Sequence, residues 1–265
     1  MVLILRCYVA NLIYTDLSER AGIMDRNKVK SEGIRINKFL SDAGVCSRRE
    51  ADRLIAEGKV TIDGKPATVG SKVFPDSKVT FCGKPVGITD NKILIAFNKP
   101  RGIVCTTDSR EPNNIVDFIN FPTRIYPVGR LDKDSEGLIL LTNDGSIVNG
   151  ILRSRYGHEK EYIVTVNKEI TKEFVTRMSE GVPILNTVTK PCKVTVINKN
   201  TFRIVLTQGL NRQIRRMCEY LGYRVTKLVR VRIMNITLGN LKTGSWRYVT
   251  GEELNELKRI IKKGE

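Results

Sequence analysis

Residues 126–145 read YPVGRLDKDSEGLILLTNDG. Leu138, Ile139, Leu140 and Leu141 form a continuous apolar run, the pattern of a buried strand. Before it lies a polar loop bounded by Gly129 and Gly137, with a shorter apolar stretch ahead of the loop. Asp132 therefore sits in a turn between strands. A carboxylate beside a buried sheet has a chemical use, but aspartate is also an ordinary turn residue. Arg130, Lys133, Asp134, Ser135 and Glu136 crowd the same loop, so local chemistry does not single out one acid.

The flanking chain places this loop in a sheet. ILIAF (93–97) reads as a buried strand ending at Lys99-Pro100, and EYIVTV (161–166) as another. CKVTVINKNTFRIVLTQG (192–209) reads as a hairpin turning near Asn198-Lys199-Asn200. Helices are predicted over TKEFVTRMSEG (171–181) and NRQIRRMCEYLG (211–222). Strands dominate with helices between them, which predicts an α+β domain over 92–265 with a mixed, mainly antiparallel sheet and flanking helices.

The predicted helix at 211–222 gives Asp132 a partner. At about 100° per residue its apolar face centres between Ile214, Met217 and Leu221. Arg212 and Arg216 fall nearly opposite that face and are read as phosphate contacts. Arg215 falls closest to its edge, where a partly buried guanidinium requires a carboxylate. From Arg203 to Arg232 there are eight arginines and lysines against one acid, Glu219. Positive charge interleaved with buried-type residues suits a cleft that holds a nucleic-acid backbone. HEKEYIVTV (158–166) brings Lys160 and Tyr162 to the start of a strand, where a tyrosine either fills a core rim or stacks on a base.

Residues 34–88 read as a separate basic module. RINKFLSDAG (35–44) has Ile36, Phe39, Leu40 and Ala43 at helical spacing, with Gly44 as a stop. Ser47 and Glu50 have capping-box spacing for a second helix that ends at Gly58. Short strands follow, turning at Asp63-Gly64 and Pro75-Asp76. Between Arg35 and Lys84 there are ten basic residues against six acids. Arg35, Lys38, Arg48, Arg49 and Arg53 are the candidate RNA contacts here, and Arg130 and Lys160 in the larger domain. GKPVGITDN (83–91) is expected as a linker. Residues 1–33 are expected to be a poorly ordered extension. Met24-Asp25-Arg26-Asn27 offers an alternative translation start, to be settled by the intact mass of the natively expressed protein.

Composition narrows the chemistry. The chain has 265 residues, room for two domains, and a formal charge of +17, which favours a polyanionic partner. Its six cysteines (7, 46, 82, 105, 192, 218) contain no C-x-x-C pair, and His158 is the sole histidine. A zinc site and a serine-type triad are therefore not expected. Scattered cysteines suit a reducing cytoplasm. The apolar start MVLILRCYVANLIY is interrupted by Arg6 and Asn11 and is too short to span a bilayer, so no membrane partner is expected.

Several stretches resemble known sequences. RINKFLSDAGVCSRREADRLIAEGKVTIDGK (35–65) resembles the S4-like αL RNA-binding module. FNKPRGIVCTT (97–107), YPVGRLDKDSEGLILLTNDG (126–145), HEKEYIVTV and GLNRQIRRMCEYLG (209–222) resemble, in order, the RsuA/RluB/RluE/RluF family of ribosomal RNA pseudouridine synthases. GVPILNTVTKPC (181–192) and RIMNITLG (232–239) are most similar to its RluF branch. The resemblance spans about residues 34–260.

It implies that Asp132, in GRLD, is the catalytic aspartate, that Arg215 pairs with it, and that Tyr162 stacks on uracil, with Lys160 a weaker candidate. It further implies a flipped uridine in 23S ribosomal RNA, with or without a transfer RNA as well; as an isomerisation the reaction needs no cofactor, and a monomer is expected. Relatives of the RluF type can carry a long basic tail, whereas this chain ends at KKGE, which puts any affinity from such a tail in doubt. The competing readings are a non-catalytic RNA-binding or ribosome-assembly protein and a helix-turn-helix DNA regulator using residues 35–57. The second leaves the larger domain unexplained.

Overall fold

The structure, a computed structural model, describes residues 33–88, 91–152 and 157–264. The expectations about the N-terminal extension and about Met24 lie outside the described residues. The chain forms two compact units, one built mainly from residues 33–87 and the other mainly from 88–264.

The smaller unit contains β1 (Ile34–Arg35), α1 (Ile36–Asp42), α2 (Arg48–Ala56), β2 (Val60–Ile62), β3 (Lys65–Pro66), β4 (Lys72–Val73), β5 (Val79–Phe81) and β6 (Lys84–Val86). Ile36, Leu40, Ala51, Leu54, Ile55, Val60 and Val79 are buried, the residues expected from helical and strand spacing. Asp63 and Gly64 both take positive φ, as a tight hairpin turn requires. The capping box is half formed. Ser47 Oγ accepts from the Glu50 N–H, but the Glu50 carboxylate pairs with Arg53 instead of reaching back. The stretch expected as linker is shorter than predicted, because residues 84–86 form β6 and pair with β5.

The larger unit is a nine-stranded sheet with helices. Its strands are β7 (Leu94–Lys99), β8 (Tyr126–Val128), β9 (Glu136–Thr142), β10 (Lys160–Val166), β13 (Lys193–Asn198), β14 (Thr201–Leu206), β15 (Val225–Ile233), β16 (Ile236–Thr237) and β17 (Trp246–Tyr248). A separate short hairpin joins β11 (Pro183–Ile184) to β12 (Thr187–Val188). The main order is β13-β14-β10-β15-β9-β7-β17, with β8 on β9 and β16 on β15. Every pair is antiparallel except β15 with β9. The helices are α3 (Ile115–Ile119), α4 (Gly145–Leu152), α5 (Lys172–Glu180), α6 (Gln213–Tyr220) and α7 (Gly251–Gly264). The mixed, mainly antiparallel α+β expectation holds.

Three apolar clusters hold this unit. One joins β10 and β14 to α5 and α6 through Val164, Phe174, Phe202, Ile204 and Met217. A second packs α4 and α7 on Leu138, Leu140 and Ile233, and a third gathers Phe97, Ile115, Leu131, Ile139 and Leu141. Tyr162 touches both the first and the third cluster.

The parallel joint positions the site. β9 meets β15 at two positions, Glu136 with Val229 and Gly137 with Arg230. Gly137 has φ +102°, and a Cβ there would lie 2.3 Å from the Arg230 carbonyl oxygen and 2.7 Å from its nitrogen. Only glycine fits. We expect Gly137→Ala to destabilise the chain by roughly 2–4 kcal/mol, seen as a lower thermal unfolding midpoint. An unchanged midpoint would show that the joint is not tightly packed.

Candidate active site

Asp132 lies in the loop between β8 and β9, just ahead of the joint at Glu136 and Gly137. Several ties fix this loop. The Ser135 N–H donates to the Asp132 carbonyl at 3.0 Å, and the Gly102 N–H to the Lys133 carbonyl at 2.9 Å. The Leu131 N–H points at the buried Cys105 Sγ at 3.4 Å. Lys99, at the end of β7, is fully buried, and its Nζ donates to the carbonyls of Pro100 and Ile103 at 2.8 Å and reaches that of Lys133 at 3.4 Å. Burial lowers the pKa of this ammonium, and the carboxylates of Asp132, Asp134 and Glu136 oppose the shift. A buried lysine on main-chain oxygens beside Asp132 is a brace that the sequence reading missed.

Two arginines face the Asp132 carboxylate. Arg215 Nε lies 3.8 Å from Oδ2, and Arg212 Nη1 lies 3.7 Å from the same oxygen. These are ion-pair distances, longer than hydrogen bonds. Arg215 is mostly buried, and its Nη2 donates to the Asp134 carbonyl at 3.1 Å and to Ser135 Oγ at 3.2 Å. Its Nε is buried without an acceptor, so one guanidinium edge holds the loop while the other faces Asp132. Desolvation lowers the Arg215 pKa, with the neighbouring Arg212 adding to it, although a guanidinium stays protonated in proteins.

The position of Arg212 departs from expectation. The helix starts at Gln213 rather than 211, and Arg212 caps it in a left-handed conformation with φ 50°. Its side chain consequently leaves the helical phase and turns to the acid. Arg216 stays on the outer side, bonded to the carbonyl and side-chain oxygens of Asn211.

A cleft of about 370 Å³ opens over these groups. It brings together Asp132, Arg130, Arg212 and Arg215 with Lys160 and Tyr162 from β10 and Arg230 from β15. Val128, Leu206, Leu228 and Ile233 supply apolar wall. Arg230 was not singled out from the sequence. A flat base fits such a cleft, with an aromatic ring, an acid and several cations around it.

In the smaller unit, Arg48 and Arg49 are exposed at the start of α2 and enter no ion pair among the described residues, whereas Arg53 is engaged by Glu50 and Glu57. Arg35 is exposed on β1, and Lys38 lies on α1. We expect Arg48→Ala with Arg49→Ala to weaken RNA binding about equally for all sequences and to reduce its salt dependence. Arg53→Ala should change it little. Titrations at several salt concentrations check this, and an equal loss from Arg53→Ala would contradict it.

The chain is similar to known proteins over most of its length. Residues 93–220 match the family model described as RNA pseudouridylate synthase, and residues 34–78 the one described as S4 domain. The chain is 56% identical over 229 residues to the Dual-specificity RNA pseudouridine synthase RluF of Salmonella typhi, covering 86% of this chain and 79% of that one. It is 55% identical over 230 residues to the protein so named in Escherichia coli strain K12, with the same shares covered. It is 36% identical to the Ribosomal large subunit pseudouridine synthase B of Bacillus subtilis, covering 87% of this chain and 98% of that one. A crystal structure of a pseudouridylate synthase superimposes with a TM-score of 0.62 at 26% identity, covering 86% of this chain and 99% of its own.

The fold and these likenesses define an RNA pseudouridine synthase. The chain belongs to the RsuA-type family of these enzymes, with an N-terminal S4 domain.

Proposed function

We propose that this enzyme acts in the cytoplasm, as a monomer, on a uridine of 23S ribosomal RNA and on a uridine of a transfer RNA. Asp132 is its nucleophile or base, Arg215 the partner of that aspartate, and Tyr162 the ring that stacks on the uracil. The observation that carries the reading is the placing of Asp132 beside Arg215 in a cleft shared with Tyr162. The large-subunit substrate is supported by the name of the Bacillus subtilis relative, and a second substrate by the words dual-specificity in the names of the more similar ones.

The reaction breaks the N1–C1′ bond, turns the uracil and rejoins it through C5. Atoms balance within one nucleotide, so no co-substrate or redox partner is consumed. The base must leave its stack first, at a cost of a few kcal/mol. Stacking on Tyr162 returns about 1–3 kcal/mol. Arg130 and Arg212 hold the backbone at the cleft and Arg216 holds it on the outer side of α6, while Arg35, Lys38, Arg48 and Arg49 of the smaller unit form a second RNA surface to which Arg53, engaged by Glu50 and Glu57, adds little. Tritium release from [5-³H]uridine-labelled 23S and transfer RNA tests both substrates. Mapping pseudouridines in a deletion strain identifies the positions, and loss in neither RNA would contradict the proposal.

A further inference from the structure

Two cations of the cleft remain without a function. Arg230 is 4% exposed. Its Nε donates to the Leu138 carbonyl at 2.7 Å, but its Nη2 is buried without an acceptor. A buried unmet donor on a charged group is costly unless something answers it. Lys160 is half-buried, and its nearest acceptor is the His158 carbonyl at a weak 3.4 Å. Neither residue has an acidic partner among the described residues. Burial lowers the pKa of Lys160, and the nearby Arg230 lowers it further.

Register places both cations at the tyrosine. Arg230 is the cross-strand partner of Tyr162, which brings the Cβ atoms of such a pair to about 5 Å. Lys160 is two residues from Tyr162 on the same strand, hence on the same face. All three line the cleft that holds Asp132. The Tyr162 hydroxyphenyl also touches apolar cores on both sides, so the surroundings suit a base better than a phosphate.

We propose that Lys160 and Arg230 are catalytic residues that donate hydrogen bonds to a carbonyl oxygen of the target uracil and stabilise negative charge there. This rests on the reading of Tyr162 as the stacking ring. When N1–C1′ breaks, its electron pair leaves with the base and spreads over N1, O2 and O4. When C5 rejoins C1′, the new bond takes its pair from the ring, C5 loses its proton to solvent and N1 gains one. If Asp132 instead adds to C6, the charge again reaches O4. By either route the carbonyl oxygens gain charge as N1–C1′ breaks or as C6 is attacked, and they give it up when C5 rejoins C1′; fixed donors act most strongly on the charge that develops in the first of these steps. Donor-only groups also favour the uracil O4 acceptor over the amino group that cytosine carries at that position.

The test uses the full chain and a stem–loop RNA bearing uridine, 2-thiouridine or 4-thiouridine at the modified position, with products read by nucleoside mass spectrometry. Lys160→Gln is expected to lower kcat on uridine about 100-fold while RNA Kd and its salt slope stay within about threefold of the parent. Arg230→Lys is expected to act in the same direction, provided its thermal midpoint is retained. One thio analogue should slow the parent enzyme but cause little further loss in Lys160→Gln, because sulfur is a weak acceptor and the contact is already gone. A Lys160→Gln variant with unchanged kcat, or with a loss confined to Kd and salt slope, overturns the proposal. Thio and Lys160 effects that multiply independently also overturn it. A parent enzyme inactive on uridine overturns the proposed function itself, a separate outcome.

Discussion

Asp132→Ala and Asp132→Asn are expected to reduce pseudouridine formation by at least about 10³-fold, with RNA affinity close to that of the parent. The loop is held by its main chain and by Lys99, Cys105 and Arg215, none of which bonds to the Asp132 side chain. Removing the carboxylate should therefore leave the fold intact. Among the described residues no hydrogen bond closes on either carboxylate oxygen, and the two arginines stay beyond bonding distance. An acid left open in this way is available to a reacting atom. A structural ion pair would close to a hydrogen bond, as Arg232 does at 2.8 Å from both Glu159 and Glu161. The asparagine variant keeps the shape and loses the charge, so its inactivity would assign the effect to the carboxylate.

Arg215→Lys is expected to lower kcat by about 10²-fold or more. The arginine performs two geometric tasks at once, holding Asp134 and Ser135 with Nη2 and facing Asp132 with Nε. An ammonium carries the charge but concentrates its donors at one point, so it cannot perform both tasks. The loss should fall on kcat more than on KM, because the proposed backbone contacts lie on other arginines. Catalytic hydrogen bonds are often long before substrate closes the site, and the 3.8 Å separation fits that behaviour. Single-turnover kinetics at saturating enzyme separate the two quantities. A normal kcat in Arg215→Lys would reduce this residue to a structural brace of the loop.

Much of the site was legible because it depends on local periodicity. The apolar run after Gly137 marks β9, and the helical phase of Ile214, Met217 and Leu221 puts Arg215 at the buried edge. Arg212 was misplaced because the same periodicity continues backwards through residues that do not form helix. A left-handed cap has no signature in an arginine. Lys99 was missed because its ammonium is satisfied by carbonyls of the turn that follows it and of the distant loop at Lys133, an arrangement with no periodic signature. Arg230 had a readable signal, since Leu228 and Arg230 share one face of a strand, but it sat in a charge run whose usual fate is solvent. The half-formed capping box has a similar cause: Arg53, three residues on, competes for the Glu50 carboxylate.

The most direct measurement of the central claim is tritium release from [5-³H]uridine-labelled ribosomal RNA by the purified chain and by Asp132→Ala at equal RNA occupancy. Release and pseudouridine are expected from the parent chain and background from the variant. Equal release from both would contradict it.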